Sequence, residues 1–199
     1  LHVKGLEPGM HEPRVGSALF MGFMLSPNGA DHCAATPDGL LANDMMFKPF
    51  HPLGWMQAPA PNEISSRKVG IFKDSQLINI LCDSLVVCQF PGITIEQAAE
   101  LVKGITGWDT GITELMRIAE RITTVMRLIN LREGLSSADD KLPERFYQPT
   151  QGGPLANLQV DREGYEKARK YYYVIMGWDA EGVPLPEKLE ELGIEKVAV

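Results

Sequence analysis

The chain has 199 residues, enough for one large domain or two small ones with a hydrophobic core. Its net charge of -7 argues against nucleic acid or an anionic membrane surface as the main partner. No apolar run approaches the roughly 20 residues that span a bilayer, and no secretory signal pattern is present. Three cysteines without a CxxC pair do not resemble a disulfide framework, so we expect the reducing cytoplasm.

The first third of the chain combines an apolar segment with a proline-rich one. Residues 15–25 are mostly apolar and lie between Pro13 and Pro27, which predicts a buried helix. Residues 36–66 contain five prolines and show no lasting period, which predicts a long irregular loop that could cover a site. We expect residues 1–66 to form a partial middle helical domain that includes this loop.

The rest of the chain, residues 67–199, is predicted to form a C-terminal helical domain. Apolar residues recur at helical spacing, and capping residues mark several helix ends, such as Thr94 with Gln97 and Asp161. The expected helices cover residues 68–88, 94–104, 115–129, 161–176 and 186–193. Only residues 197–199 hint at a strand. The fold class is therefore all-α, with little or no sheet.

Two reactive side chains stand near the end of the helix expected at 68–88. Asp83 could be a cap, half of an ion pair, or a ligand, because a buried carboxylate without a partner is costly. Cys88 could be a small buried hydrophobe or a ligand. On a straight helix the two side chains would point about 140° apart. They could therefore contact different parts of one large cofactor, but they could not share a small ion.

A third candidate is His32, which follows the turn-forming sequence SPNGAD at residues 26–31. It could be a ligand, an acid or base, or a histidine that only belongs to the turn. The sequence contains no glycine-rich phosphate loop, no HExxH and no GxSxG element.

Several sequence blocks, in order, resemble the C-terminal portion of the tungsten-containing aldehyde:ferredoxin oxidoreductase family. The blocks are VKGLE (3–7), HEPR (11–14), LSPNGADH (25–32), DSLVVC (83–88), ERI (120–122), INLREG (129–134), DDKLPER (139–145), YYYVIMGWD (171–179), GVP (182–184) and KLEELG (188–193). Each block alone is weak evidence, but together and in register they strongly indicate the family.

The resemblance implies oxidation of small aldehydes to carboxylic acids by tungsten held by two pterin dithiolenes (a tungstopterin). A 4Fe–4S cluster would pass the electrons to ferredoxin. It implies that Asp83 binds one pterin, that Cys88 is the fourth thiolate of the cluster, and that His32 is a catalytic residue near the metal. Val86 stands where the family has a glycine, which would restrict how closely the backbone approaches the cofactor.

The family's N-terminal domain, with the first three cluster cysteines, has no counterpart in this sequence. We therefore expect a fragment that is inactive alone and binds neither cofactor, with the missing N-terminal domain as its partner. A homodimer is a further possibility. Two alternatives stay open. One is a cofactor-free helical module for binding or assembly. The other is a family member with a non-aldehyde substrate, such as an aromatic-ring reductase subunit.

Overall fold

The computed structural model describes residues 1–197 and confirms the all-α prediction, since this range contains helices and no β-strand. The α-helices are α1 (Ser17–Leu25), α2 (Asp38–Leu41), α3 (Asp44–Phe47), α4 (Ser66–Ser84), α5 (Ile95–Thr106), α6 (Ile112–Arg132), α7 (Arg162–Ile175) and α8 (Pro186–Leu192). Short 3-10 helices cover Pro13–Val15, Lys48–Leu53, Ser137–Asp139, Glu144–Tyr147 and Glu195–Val197. Of the strand pattern at 197–199, the last two residues lie outside the described range.

Helix α1 is the centre of the larger hydrophobic core, and all nine of its residues are buried. The first N–H groups of a helix have no partner inside it. Here the Asp38 carboxylate accepts hydrogen bonds from Ala18 N at 3.1 Å and Leu19 N at 3.0 Å. Lys68 Nζ lies 2.7 Å from the same carboxylate. These contacts tie α2 and α4 to the start of α1.

The prediction of an irregular loop at 36–66 was wrong, because this segment contains α2, α3 and a 3-10 helix. Three of its apolar side chains belong to the larger core: Leu41, Phe47 and Phe50. Two of the five prolines stand at helix starts, while Pro52 lies inside the 3-10 helix. Pro37 precedes the first residue of α2, and Pro49 lies in the first turn of the 3-10 helix. A helix start has no backbone hydrogen bond for a proline to remove.

Helix α4 packs against the other two longer helices, α6 and α7, and it also packs against α1. The predicted caps are present: Thr94 and Gln97 form the capping box of α5, and Asp161 caps α7. Gly177 and Gly193 take left-handed conformations after α7 and α8. No helix within residues 1–197 has both the length and the apolar character needed to cross a membrane.

Within residues 1–197, three hydrophobic clusters hold the helices together. The largest combines residues from 3–72 with residues from 142–178, so it includes side chains from both sides of the expected boundary at residue 66. A second joins α4, α5 and α6, and a third joins α6 and α8. The division into domains at 1–66 and 67–199 stays a proposal.

Candidate functional site

A cavity of about 230 Å³ lies where the segment after α1 meets α4 and α6. We call residues 26–36 the site loop. Two carboxylates and a thiol face this cavity beside an apolar wall: Asp31, Asp83, Cys33, Ile80, Ile122 and Met126. The candidate Asp83 is therefore brought next to a loop that precedes it by some 50 residues in the sequence.

The site loop is held by side chains that donate hydrogen bonds to its backbone carbonyls. The bonds run from Lys4 Nζ to Ser26 O, from Asn130 Nδ2 to Pro27 O, and from Asn79 Nδ2 to Cys33 O, each at 2.9 Å. The sequence analysis missed all three donors. Nothing in the sequence around the two asparagines pointed to their carbonyl partners, which lie about 50 and 100 residues away.

Asp83 lies in the last turn of α4, and its side chain is exposed. It is therefore not the carboxylate buried within an apolar helix that the sequence suggested. Partial desolvation raises the pKa of Asp83, and the nearby charge of Asp31 raises it further, while a hydrogen bond with Gln89 opposes the shift.

Cys88 does not lie on α4, because the helix ends at Ser84. The chain turns away there through Val86, whose φ is +56°, and Val87 N donates to Cys82 O at 2.9 Å. The angle of 140° between Asp83 and Cys88 assumed a continuous helix and does not apply. The Cys88 thiol is exposed, which also rules out the buried-hydrophobe alternative.

Val86 is in a left-handed conformation that β-branched residues rarely adopt. The cost of this conformation is about 1–2 kcal/mol per residue. A glycine at this position of the motif has a simple conformational reason, since it would end α4 without strain. The left-handed turn therefore explains why the family motif has a glycine here, and close approach of a cofactor is not needed as the reason.

His32 lies in an exposed turn beside the cavity and does not line it. Its ring stacks on His11, with the centroids 4.5 Å apart and the planes at 19°. Donor atoms of Asp31, His32 and Cys33 all lie within 4.8 Å of one another. Desolvation, followed by the charges of Asp31 and Asp83, raises the pKa of the Cys33 thiol. This thiol therefore keeps its proton at neutral pH and is a weak nucleophile there.

Gln76, on α4, was also missed by the sequence analysis. Its side chain is fully buried and lines the cavity. The Tyr172 hydroxyl donates to Gln76 Oε1, whereas Nε2 has no hydrogen-bond partner among residues 1–197. The apolar surroundings of α4 in the sequence gave no sign that this amide would face a cavity.

The side chains at the end of α4 fit the groups that the family resemblance implies. The exposed Asp83 carboxylate can accept hydrogen bonds from the N–H groups of a pterin, and the exposed Cys88 thiol can ligate iron as a thiolate. The neighbouring Cys82 is buried and could not reach a group outside the chain without rearrangement.

Comparison with known proteins shows which proteins this chain is similar to. Residues 1–194 match a family model described as aldehyde ferredoxin oxidoreductase, domains 2 & 3. The tungsten-containing aldehyde ferredoxin oxidoreductase of Pyrococcus furiosus is 31% identical over 96% of this chain and 30% of its own length. The protein of the same name in Thermococcus kodakarensis is 30% identical over 98% of this chain and 31% of its own length.

A second kind of relative is an aliphatic sulfonate oxidoreductase, WOR-like subunit, of Pyrococcus furiosus. It is 34% identical over 60% of this chain and 20% of its own length. Among solved structures, the active site complex BamBC of benzoyl coenzyme A reductase matches with a TM-score of 0.66 and 18% identity. That match covers 96% of this chain and 31% of the other, and it shows a shared fold.

The chain thus spans about 30% of the length of the curated tungsten-containing relatives that it matches. The match to the family model covers almost the whole length of this chain. The chain belongs to the aldehyde ferredoxin oxidoreductase family, of which it represents domains 2 and 3.

Proposed function

We propose that this chain supplies the helical domains of a tungstopterin and iron–sulfur oxidoreductase that oxidises aldehydes and passes electrons to ferredoxin. The observation that carries the proposal is that Asp83, in the last turn of α4 beside the site loop, and Cys88, four residues after the helix ends, both have exposed side chains. A carboxylate and a thiol left open at one helix end suit a site whose other half lies in another domain. The chain alone is inactive in this proposal, because one thiolate cannot hold a four-iron cluster.

Each of the three candidate residues has a separate part in the proposed enzyme. Asp83 accepts hydrogen bonds from a pterin, and Cys88, as a thiolate, is the fourth ligand of the 4Fe–4S cluster. The bound tungstopterin supplies the two-electron oxidation. His32 moves a proton at the substrate, since an imidazole has one nitrogen that can donate a proton and one that can accept it. The stacked ring of His11 holds the His32 ring in place.

The charge of the cavity favours an aldehyde over a sulfonate as the substrate. Asp31 and Asp83 both line the cavity, and among residues 1–197 neither one forms a salt bridge with a lysine or arginine. Carboxylates in this position repel an anionic sulfonate, whereas a neutral aldehyde pays no such cost. This argument separates the proposed substrate from the one named for the WOR-like relative.

Metal analysis of the full-length gene product tests the cofactor proposal. We expect tungsten or molybdenum together with iron, and the Cys88→Ser variant should lose most of the iron. The matched control is Cys33→Ser, which removes another exposed thiol and should keep the iron. A wild-type protein that contains neither iron nor tungsten nor molybdenum would favour the cofactor-free alternative.

The reaction is tested with the metal-loaded full-length protein, a small aldehyde and a viologen dye as the electron acceptor. We expect His32→Gln to lower kcat by about 100-fold or more, the usual size of a general acid or base contribution, with unchanged metal content. Oxidation of the aldehyde by the isolated 199-residue chain would contradict the proposal that this chain is inactive alone.

A further inference from the structure

The N-terminal segment, residues 3–11, touches the site loop at two places. Near the start of the loop, a Cβ atom at Gly29 would lie 2.0 Å from Val3 O, so only a glycine lets the loop come this close. Further along the loop, the His32 ring stacks on His11 of the same segment. One short piece of chain therefore supports both the turn of the loop and the histidine that follows it.

Lys4 fixes this segment at the point where the site loop leaves α1. A lysine ammonium group has three N–H donors. Three acceptors lie within hydrogen-bonding distance of Lys4 Nζ: Met24 O and Ser26 O, each at 2.9 Å, and Asp140 Oδ1 at 2.6 Å. Two of these three contacts belong to the last turn of α1 and the first residue of the loop, so Lys4 does more than pair with a carboxylate.

Two features of Lys4 are unfavourable in themselves. Burial of the side chain lowers the pKa of Lys4, and the neighbouring Asp140 opposes that shift. The backbone has a φ of +50°, in the left-handed region that residues with a Cβ atom rarely adopt. Strained residues of this kind cluster at functional sites. An apolar side chain would avoid the desolvation, but it could not donate to the two carbonyls.

A second buried lysine, at the opposite end of α1, provides a reference. Lys68 Nζ lies 2.7 Å from Asp38, the residue that caps the first turn of α1, and it also donates to Ala60 O at 3.1 Å. Both lysines are buried and paired with an aspartate. Within residues 1–197, however, Lys4 donates to the site loop and Lys68 does not.

We propose that Lys4 is a positioning residue for the reaction. By holding the start of the site loop against residues 3–11, it sets where the His32 ring stands relative to the substrate. Lys4 acts through the loop and not on the substrate, since its side chain is 2% exposed and does not line the cavity, whereas residues 26–28 do. A displacement of about 1 Å at a reacting group can lower a rate about 100-fold. The inference rests on the proposed function for the role of His32.

The position of the His32 ring is tested in the 199-residue chain by 1H–13C NMR of the imidazole groups. Lys4→Met keeps the side chain long but removes the donors, so it should move the His32 signals through the stacking on His11. The signals of His51 should stay in place. The matched control is Lys68→Met, which breaks the other buried pair and should leave His32 unmoved. Equal movement of His32 in both variants would mean general loss of stability and would overturn the inference.

A milder variant tests the same support without a change in the core. Gly9 is exposed, and a Cβ atom there would lie 3.3 Å from His32 Nδ1, so Gly9→Ala should displace the ring while the chain folds normally. The control is Gly39→Ala, where the new Cβ meets nothing within 4 Å. If Lys4→Met does not fold, Gly9→Ala decides, and unmoved His32 signals then show that residues 3–11 do not position the ring.

Activity of the metal-loaded full-length protein with a small aldehyde and a viologen dye tests the consequence. Lys4→Met should lower kcat about 10-fold or more with unchanged metal content, whereas Lys68→Met should keep kcat. In a His32→Gln background, Lys4→Met should change kcat by less than about 2-fold, because residues that act as a unit are not additive. A full additional loss there would show that Lys4 does not act through His32.

The two proposals fail in different ways. An inactive wild-type protein that contains its metals contradicts the proposed function, and the NMR comparison then still decides whether Lys4 positions the loop. An active wild-type protein together with an undiminished kcat in Lys4→Met contradicts the present inference alone.

Discussion

Two groups of polar side chains in this fold differ in how far their charges and hydrogen bonds are satisfied. Around Asp140 every charged group has a partner, since two cations share one carboxylate: it lies 2.6 Å from Lys4 Nζ and 3.0 Å from Arg127 Nη1, and it accepts a hydrogen bond from the Tyr173 hydroxyl. All of this lies inside the protein. At the cavity, among residues 1–197, Asp31 and Asp83 have no lysine or arginine partner, and Gln76 Nε2, unlike Oε1, has no hydrogen-bond partner.

The difference lies in the carboxylates, since buried side-chain nitrogens without a partner among residues 1–197 also occur beside the Asp140 group, at Trp178 Nε1 and Arg169 Nε. A buried charge is tolerated only when it is paired and hydrogen-bonded, so the group around Asp140 has one stable arrangement. Polar groups left unpaired cost stability, and such groups are concentrated where a protein binds or reacts. Lys4 connects the two regions, because the same ammonium group that pairs with Asp140 also donates to Met24 O and Ser26 O at the start of the site loop.

The largest effect should follow from breaking the matched region. Asp140→Asn keeps the shape of the side chain but leaves Lys4 and Arg127 buried without their counter-charge. We expect the free energy of unfolding to fall by about 3–5 kcal/mol, measured by urea denaturation. Asp109→Asn serves as the control, because it removes an exposed partner of Lys103 and should leave the midpoint almost unchanged. Equal effects from the two substitutions would contradict the distinction between matched and exposed charges.

A smaller effect, of the opposite sign, should follow from relieving strain near the cavity. Val86→Gly removes the strained conformation at the end of α4, and the lost side chain is 91% exposed, so little burial is sacrificed. We expect about 1 kcal/mol of stabilisation by urea denaturation, after allowance for the greater freedom of glycine in the unfolded chain.

The reverse substitution at another helix end provides the control for Val86→Gly. Gly193 ends α8 with φ of +65°, and a Cβ atom there would meet nothing within 4 Å. Gly193→Val should therefore destabilise the protein by a similar amount through the backbone alone. If Val86→Gly is neutral while Gly193→Val is costly, the conformation of Val86 is not the strained one described.

The smallest effect concerns the charge of Asp83. Its pKa is raised in the folded protein by desolvation and by Asp31. A raised pKa means that the carboxyl group contributes stability below the usual aspartate pKa and loses that contribution as the pH rises through the folded value. Asp31→Asn should move the Asp83 pKa back towards its usual range, as measured by 13C NMR titration. The control Asp109→Asn should not, and an unmoved pKa in Asp31→Asn would show that desolvation acts alone.

Helices whose capping residues and apolar spacing lie within their own segment could be predicted from the sequence. Elements that form only because other segments of the chain bury them could not. The starts of α5 and α7 follow from capping residues that contact their own helix, and the all-α class follows from apolar spacing. The end of α4 was placed too late, because Val86 occupies a position where glycine is the usual signal. Residues 36–66 become helical where their side chains are buried by other parts of the chain.

The candidate site shows the same division. The resemblance to the family motifs selected Asp83, Cys88 and His32, and the structure places Asp83 beside the site loop. Asn79 and Gln76 were missed, because their importance depends on Cys33 O and Tyr172, which come from other segments of the chain. Side chains that complete a site across the fold carry no local periodicity of their own.

The pairing of Lys4 with Asp140 also bears on the order in which the protein is assembled. A nascent chain leaves the ribosome from its N-terminus, at about 5–20 residues per second. The site loop is therefore made before Asn130 and before Asp140, the partner of Lys4. Until α6 and residue 140 have emerged, the loop lacks the hydrogen bond from Asn130, and Lys4 lacks its counter-charge, so the loop can take its final shape only after those residues are made.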